Sequence, residues 1–416
     1  MSVANDSSVL AARRPASPLS IEPSVVVFAL LVLVAGAVYL YAGFNGRQSA
    51  LYILGGALGL VLYHASFGFT SAWRVFIADR RGAGLRAQMV MLAVGSLLFF
   101  PALGAGTLFG HPVAGNVSPL SVSVIVGSFL FGVGMQMGGG CASGTLYTVG
   151  GGSTRMIVTL AAFIVGSAVG AYHLPWWSSL PALPAVSLVK SWGAWPALAF
   201  SLVLFAAIAV VTVVAERRRH GQLIQQNPSP RRGLARFFSG PWPVVSGAVA
   251  LALLNFATLA IAGKPWGVTS AFALWGSKIA GHIGFAPESW GYWSKPGAAA
   301  ALHSSIFNDV TSVMDLGIIF GALLAAGLAG RFAPVWRIPA RQIVAAIFGG
   351  LLLGYGARLA YGCNIGAYFS GIVSSSLHGW LWLVFAFIGN IVGTWIRPFF
   401  GLEVERIRPA ASHAEA

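Results

Sequence analysis

Gly132-Val-Gly-Met-Gln-Met-Gly-Gly-Gly-Cys-Ala-Ser-Gly144 and Gly354-Tyr-Gly-Ala-Arg-Leu-Ala-Tyr-Gly-Cys-Asn-Ile-Gly366 decide how this chain is read. Aligned, they coincide at Gly132 and Gly354, Gly134 and Gly356, Gly140 and Gly362, Cys141 and Cys363, and Gly144 and Gly366. A chain with 53 glycines inflates the glycine matches, but the remaining match pairs its only 2 cysteines. A second pair precedes each of these: Gly68-Phe-Thr-Ser-Ala72 and Gly267-Val-Thr-Ser-Ala271. Each half therefore carries a Thr-Ser-Ala element followed by a Gly-Cys element, the mark of an internal repeat.

Around these elements the chain is apolar. Of 416 residues 57% are hydrophobic and 8% charged, against about 25% charged in a soluble domain, and mean hydropathy is +0.78. A water-soluble globular enzyme is excluded. Apolar runs long enough to cross a bilayer as helices recur throughout, which argues for an all-α polytopic bundle and against an outer-membrane barrel. The function is thereby bounded to transport, channel activity or membrane-embedded chemistry. Spanning helices are expected near 24–43, 50–64, 88–109, 120–137, 156–174, 194–215, 242–262, 312–330, 342–357 and 379–396. The first run is too long for a secretory signal and is read as a membrane helix behind a polar tail, 1–20. Stretches too short to cross, 68–78, 142–149, 268–281 and 364–373, read as re-entrant or broken helices meeting near the midplane.

The charge balance, 25 Lys+Arg against 10 Asp+Glu, sits in short clusters: Arg13 and Arg14; Arg74, Arg80, Arg81 and Arg86; Arg217, Arg218, Arg219, Arg231, Arg232 and Arg236; Arg331, Arg337 and Arg341; Arg406 and Arg408. That spacing is the positive-inside pattern of a membrane protein and not a nucleic-acid surface. It places both termini and the linker 216–240 in the cytoplasm. The linker divides a first repeat, 24–215, from a second, 241–400, with a tail at 401–416, and about five crossings are expected in each repeat. A basic stretch follows the first Thr-Ser-Ala element, whereas a long region with one Lys follows the second; the loops before the two cysteines differ in the opposite sense. The two repeats are therefore expected to be inverted, an architecture that places binding sites at broken helices near the midplane.

Glycine runs inside a membrane segment weaken the helix and free backbone groups, which only protein or a water-filled cavity can then serve. Helices restarting at Cys141 and Cys363 would present free N–H groups and positive dipole ends to the break, an anion-accepting arrangement. Gly140 and Gly362 let a ligand approach the backbone, and Ser143 and Asn364 add polar groups beside the thiols. A thiol is a weak donor and a polarizable neighbour, suited to a soft sulfur anion. Thr70, Ser71, Thr269 and Ser270 offer hydroxyls at two further breaks, although such hydroxyls also bond their own helix. Arg358, five residues before Cys363, is a cation inside an apolar run, where charges are costly and usually functional. Lys264 and Lys278 flank the second Thr-Ser-Ala element; His64, His303, Asp309 and Asp315 are assigned no role. Two cysteines build neither a disulfide scaffold nor a conventional zinc cluster, so no metal or cofactor is expected.

Across about residues 45 to 397 the chain resembles the YeeE/YedE family of sulfur-transport membrane proteins, on GGGCASG at 138–144, GYGARLA before YGCNIGAYFSGI at 361–372, and the FTSAW and VTSAF elements. The resemblance implies uptake of a small sulfur oxyanion, thiosulfate in the best-understood members, across the bacterial inner membrane through a central constriction. Cys141 and Cys363 would be hydrogen-bonding relay thiols, and a soluble cytoplasmic sulfur-carrier protein is an implied partner. Many members have Cys-Phe-Thr where this chain has Gly68-Phe69-Thr70, so a relay of three thiols is here reduced to two. Another sulfur or selenium species, or a membrane-embedded thiol redox or sulfur-transfer protein, are the alternatives.

Overall fold

The computed structural model describes residues 21–224, 233–294 and 296–406. The polar tail 1–20, with Arg13 and Arg14, the linker residues Arg231 and Arg232, and Arg408 lie outside the described residues. The architecture is α-helical, and among the described residues ten helices are long and apolar enough to cross a membrane.

In chain order the helices are α1 (Pro23–Gly43), α2 (Gly46–His64), α3 (Phe69–Asp79), α4 (Ala83–Ala105), α5 (Val122–Gly138), α6 (Ala142–Gly150), α7 (Thr154–Ser178), α8 (Leu188–Trp192), α9 (Ala194–His220), α10 (Gly233–Ser239), α11 (Val244–Ala262), α12 (Thr269–His282), α13 (Pro296–His303), α14 (Val310–Ala329) and α15 (Ala340–Leu359). A π-helical turn, Asn364–Phe369, then runs into α16 (Ser370–Val373), and α17 (Leu377–Ile396) ends the bundle. Their ends follow from local chemistry. Asn45 accepts from the Gln48 amide at the start of α2, Ser121 from Val124 at the start of α5 and Asp309 from Ser312 at the start of α14, each satisfying a donor that the first turn leaves unpaired.

Two features depart from the expected layout. The span read at 88–109 is displaced to Ala83–Ala105. It starts early because Glu216 of α9 accepts from the Gly82 amide at 3.0 Å and pairs with Arg86 at 2.7 Å. It stops early because Gly106 turns left-handed, φ +73°, and Thr107–Leu108 pairs with His111–Pro112 in a small hairpin. Also, six long helices precede the linker 216–240 and four follow it, not five and five. The repeated element order, long, short, long, long, short, long, comprises α2 to α7 and then α11 to α17; α1 and α9 stand outside it. Helix α1 packs on α14 and α9 on α4, so each outlying helix covers one repeat unit from the flank.

Small residues set the packing. In a bilayer, where apolar burial gives little drive for helix association, close backbone approach supplies it. Helix α5 crosses α15 antiparallel: Gly127 lies against Gly356 and Ala360, while Gly134 and Gly138 lie against Gly349. A Cβ added at Gly134 would sit 2.8 Å from the Gly349 carbonyl oxygen. Parallel seams of the same kind join α2 to α14 through Gly55, Gly59 and Gly317, α7 to α15 through Gly166 and Gly354, and α5 to α17 through Gly132 and Gly389.

One end of the bundle gathers the basic segments. There Arg155 donates to the Gln342 carbonyl and to Met137, Glu22 donates its amide to Gly327, and the tail segment reaches Arg74 through Glu405. The opposite end gathers the hairpin at 107–112, the pairing of Leu120–Ser121 with Ala182–Leu183, and the long 283–309 segment.

Gly349→Ala, which drives a methyl into the α5 backbone, is expected to destabilise the bundle by about 1–3 kcal/mol. Gly43→Ala, with no atom within 4 Å of the new methyl, should leave it unchanged; thermal unfolding in detergent measures both.

Candidate functional site

Each Gly-Cys element breaks its helix where the residues require it. Gly139 closes α5 in the left-handed region, φ +94°, and Cys141 then caps α6. Gly362, φ +148°, follows α15, and Cys363 caps the π-helical turn. The two cysteines adopt the same extended backbone, φ −79° and ψ −171° at Cys141, φ −102° and ψ −165° at Cys363. Both sulfurs serve as the cap acceptor. Cys141 Sγ accepts from the Gly144 amide at 3.4 Å and lies 3.4 Å from Ser143 Oγ; Cys363 Sγ accepts from the Ile365 amide at 3.4 Å. Both are free thiols, buried in the core, and α6 packs against the turn that begins at Asn364.

Two cavities enter the bundle from opposite ends, the larger reaching the Gly362 break and the smaller the Thr-Ser-Ala element at Gly68. The larger, about 760 Å³, is lined by Lys264, Thr269, Ser270, Tyr292, Arg358 and Gly362, together with Asn116 and Gly366. It holds two cations and no carboxylate among its lining residues. Arg358 stays inside the protein, 7% exposed, with its guanidinium 5.1 Å from the centre of the Tyr292 ring, one donor on the Tyr292 hydroxyl and another on the Thr269 carbonyl at 3.3 Å. The smaller cavity, about 490 Å³, lies toward the basic end and is lined by Gly68, Ser71, Gln88, Arg81 and Glu216 among others. Thus the Thr-Ser-Ala element of one half borders one cavity and that of the other half borders the second.

Aromatic rings fill the space between. Phe69 follows the cavity-lining Gly68, and Tyr368 stands two residues after the cavity-lining Gly366; their rings meet at 6.1 Å. Trp73 and Trp382 pack on Tyr368 at 5.8 and 6.1 Å. All four rings are fully buried. Within this layer several polar atoms have no hydrogen-bond partner: both ends of the Asn364 amide, the Tyr368 hydroxyl and Thr70 Oγ1.

The structure therefore brings Arg358, Thr269, Ser270 and Gly362 together at one cavity and places Ser71 at the other. Cys141, Ser143, Gly140, Cys363, Asn364 and Thr70 are buried and line neither cavity. Ser71 Oγ donates to the Gly68 carbonyl and Ser270 Oγ to Thr311. Lys278 is taken up by the carbonyls of Leu302 and Ser304, at 2.5 and 2.7 Å, unlike Lys264. Asp315 is buried in α14 with neither carboxylate oxygen hydrogen-bonded. Tyr292 and Asn116 were not legible as site residues, since both come from irregular segments with no repeat counterpart. Tyr368 lies inside the quoted motif, and only its ring contacts distinguish it.

The comparisons with known proteins bear on the same span. The family model described as Sulphur transport matches residues 64–392, which include both breaks and both Thr-Ser-Ala elements. The chain is 28% identical to the thiosulfate transporter TsuA of Spirochaeta thermophila over 83% of this chain and 97% of that protein. Against the thiosulfate transporter TsuA of Escherichia coli it is 26% identical over 83% of this chain and 93% of that one. It is also 33% identical to the probable transporter YedE of Escherichia coli over 41% of this chain and 42% of that protein. A transporter architecture with ten spans, and a match across most of the chain, place this protein in the Sulphur transport family.

Proposed function

We propose that this chain is an inner-membrane permease that imports a small sulfur oxyanion, most simply thiosulfate, along a central route in which Cys141 and Cys363 are successive hydrogen-bonding waypoints. One observation carries the reading: two free buried thiols cap matched breaks, between cavities that approach from opposite ends. With each sulfur lone pair engaged by a backbone N–H, the S–H proton is left to point elsewhere. A thiol donor is weak and polarizable, so it offers a soft dianion a foothold it can also leave. Asn364, Tyr368 and Thr70, with unengaged polar atoms in the same layer, supply further donors. The relatives named as thiosulfate transporters support the choice of anion.

Entry is assigned to the larger cavity. Arg358 and Lys264 give it a positive field, and Thr269 and Ser270 give it hydroxyls. The two repeats are taken as inverted, supported by the antiparallel crossing of α5 and α15, which hold the same place in the repeated order. The basic end is taken as cytoplasmic, because the basic loops and both described chain ends lie there and cationic loops stay inside. An inside-negative potential opposes anion entry by about 2.3 kcal/mol per charge for each 100 mV. Continuous removal of the sulfur by a soluble cytoplasmic carrier would supply the missing direction.

Growth on thiosulfate as sole sulfur source, in a bacterium lacking its own sulfate and thiosulfate uptake, tests the proposal. The chain should restore growth, and Cys141→Ala and Cys363→Ala should each abolish it at equal membrane abundance; undiminished growth of either mutant would remove the relay. Arg358→Gln removes a charge-assisted contact worth about 1.5–3 kcal/mol, so the thiosulfate KM of uptake should rise about tenfold or more, with a smaller change in maximal rate. Gly68→Cys should fold, because the one close contact of the added Cβ is the movable Ser71 hydroxyl at 2.5 Å, the next atoms, Ser71 Cβ and the Tyr147 hydroxyl, lying at 3.6 and 3.8 Å. By restoring a third thiol it should raise uptake, measured with labelled thiosulfate; a fall would argue that the smaller cavity needs the space.

A further inference from the structure

Three arginines that the proposed relay does not use meet at the basic end, around the last turn of α5. Arg74 comes from α3, one turn beyond Thr70; Arg155 comes from the start of α7; Arg397 follows α17. Arg74 and Arg397 are 8% and 7% exposed. Arg155 donates to the Met137 carbonyl at 2.7 Å, Arg397 to the Gln136 carbonyl, and Arg74 to the Gln136 side-chain oxygen at 3.3 Å. All three lie within electrostatic reach of one another. Carbonyl dipoles at a helix C-terminus favour nearby cations, but they do not cancel three charges.

The carboxylates within electrostatic reach of Arg397 are the chain's own Glu405 and Glu403, and Glu405 makes the direct contact. Glu405 takes a two-point grip from Arg74, at 2.5 and 2.6 Å, the geometry by which a guanidinium holds any planar or tetrahedral oxyanion. Burial would raise the Glu405 carboxyl, but its bonds from Arg74 outweigh that and hold it below the usual carboxylate range, so it is ionised at neutral pH. Arg397 meanwhile donates to the Glu403 backbone carbonyl at 2.9 Å. Glu405 is 42% exposed on its side chain, so it sits at a mouth from which it can leave. The cluster adjoins the route: Arg155 Nη1 lies 3.1 Å from where a Cβ on Gly139 would sit, two residues before Cys141. The Gln136 amide, meanwhile, donates to the Thr70 carbonyl at 3.1 Å.

We infer that Arg74, Arg155 and Arg397 form a second anion seat at the basic end, for a small divalent oxyanion, and that Glu405 of the C-terminal segment occupies it as a built-in competitor. Its part in transport rests on the permease reading above; its capacity to bind an anion does not. An oxyanion arriving from Cys141 displaces the glutamate, and the glutamate returns when the ion departs, which keeps the ion from being held at the exit.

The test uses the full chain in detergent in an Arg358→Gln background, so that the opposite cavity contributes little, with thiosulfate and sulfate as probes and chloride as control. Thermal unfolding is followed against anion concentration. Glu405→Gln should lower the half-maximal thiosulfate and sulfate concentrations at least fivefold, with no response to chloride, and adding Arg74→Gln or Arg397→Gln should abolish the response. If Glu405→Gln leaves the anion response unchanged, or if the arginine variants respond as it does, the seat is overturned. Arg397→Lys, which keeps the charge, should retain part of the response; complete loss there, with a lowered melting temperature in the absence of anion, would mark the cluster as a helix clamp only and overturn the inference. Uptake into liposomes by the chain with Arg358 intact separates the two readings: anion binding that follows these variants, with no thiosulfate moved by that chain, would leave the seat standing and remove the permease.

Discussion

Hydrocarbon offers no hydrogen bonds, so every interruption of a helix inside the bilayer must be served by the protein itself. That constraint organises this molecule. At the break after α5 the Gln136 amide reaches the Thr70 carbonyl, tying one Gly-Cys element to the neighbouring Thr-Ser-Ala element. On the other side Asn255 accepts from the Trp266 amide, Ser370 donates to the Trp266 carbonyl, Asn116 donates to the Gly366 carbonyl and Trp382 to that of Gly362. Each of these irregular stretches is thus tied by a side chain from a distant part of the chain. The breaks hold the bundle together as much as they weaken it.

Against this economy the unengaged polar atoms stand out. Asn364, Tyr368 and Thr70 retain hydrogen-bonding capacity within a layer of rings, while the backbone around them is served. A buried donor left unpaired is costly, and such cost persists where the surroundings over-determine the geometry. The rings of Phe69, Trp73, Tyr368 and Trp382, fully buried and in mutual contact, gather that cost in one place. The contrast with Lys278, whose ammonium is held by two carbonyls, shows how the same fold treats a charge that ties loops together.

Much of this was legible in the chain because glycine and cysteine are informative residues in apolar surroundings. The four short segments begin within one residue of their expected starts, since Gly68, Gly140, Val268 and Cys363 cannot be continued as membrane helix without leaving backbone groups unserved. What escaped notice depended on contacts between distant segments. Glu216 sets the start of α4 from more than a hundred residues away, and Tyr292, the partner of Arg358, comes from a loop that no periodicity marks. The expected spans already divide six and four about the linker, as observed, but basic loops report sidedness and not which helix packs on which. Only the docking of α1 on α14, across the linker, and of α9 on α4, within the first half, shows which helix completes each flank.

The glycine seam between α5 and α15 also has a mechanical meaning. With backbone against backbone at Gly134, Gly138 and Gly349, the two helices that carry the breaks are keyed like teeth. A slide along the seam would bring the bulkier neighbours Met137 and Phe348 toward positions that have room only for hydrogen. The centre of the molecule is accordingly a stiff frame, so the proposed route asks for rotations of Phe69, Tyr368 and the two thiol groups, movements of single side chains that need no rearrangement of the scaffold.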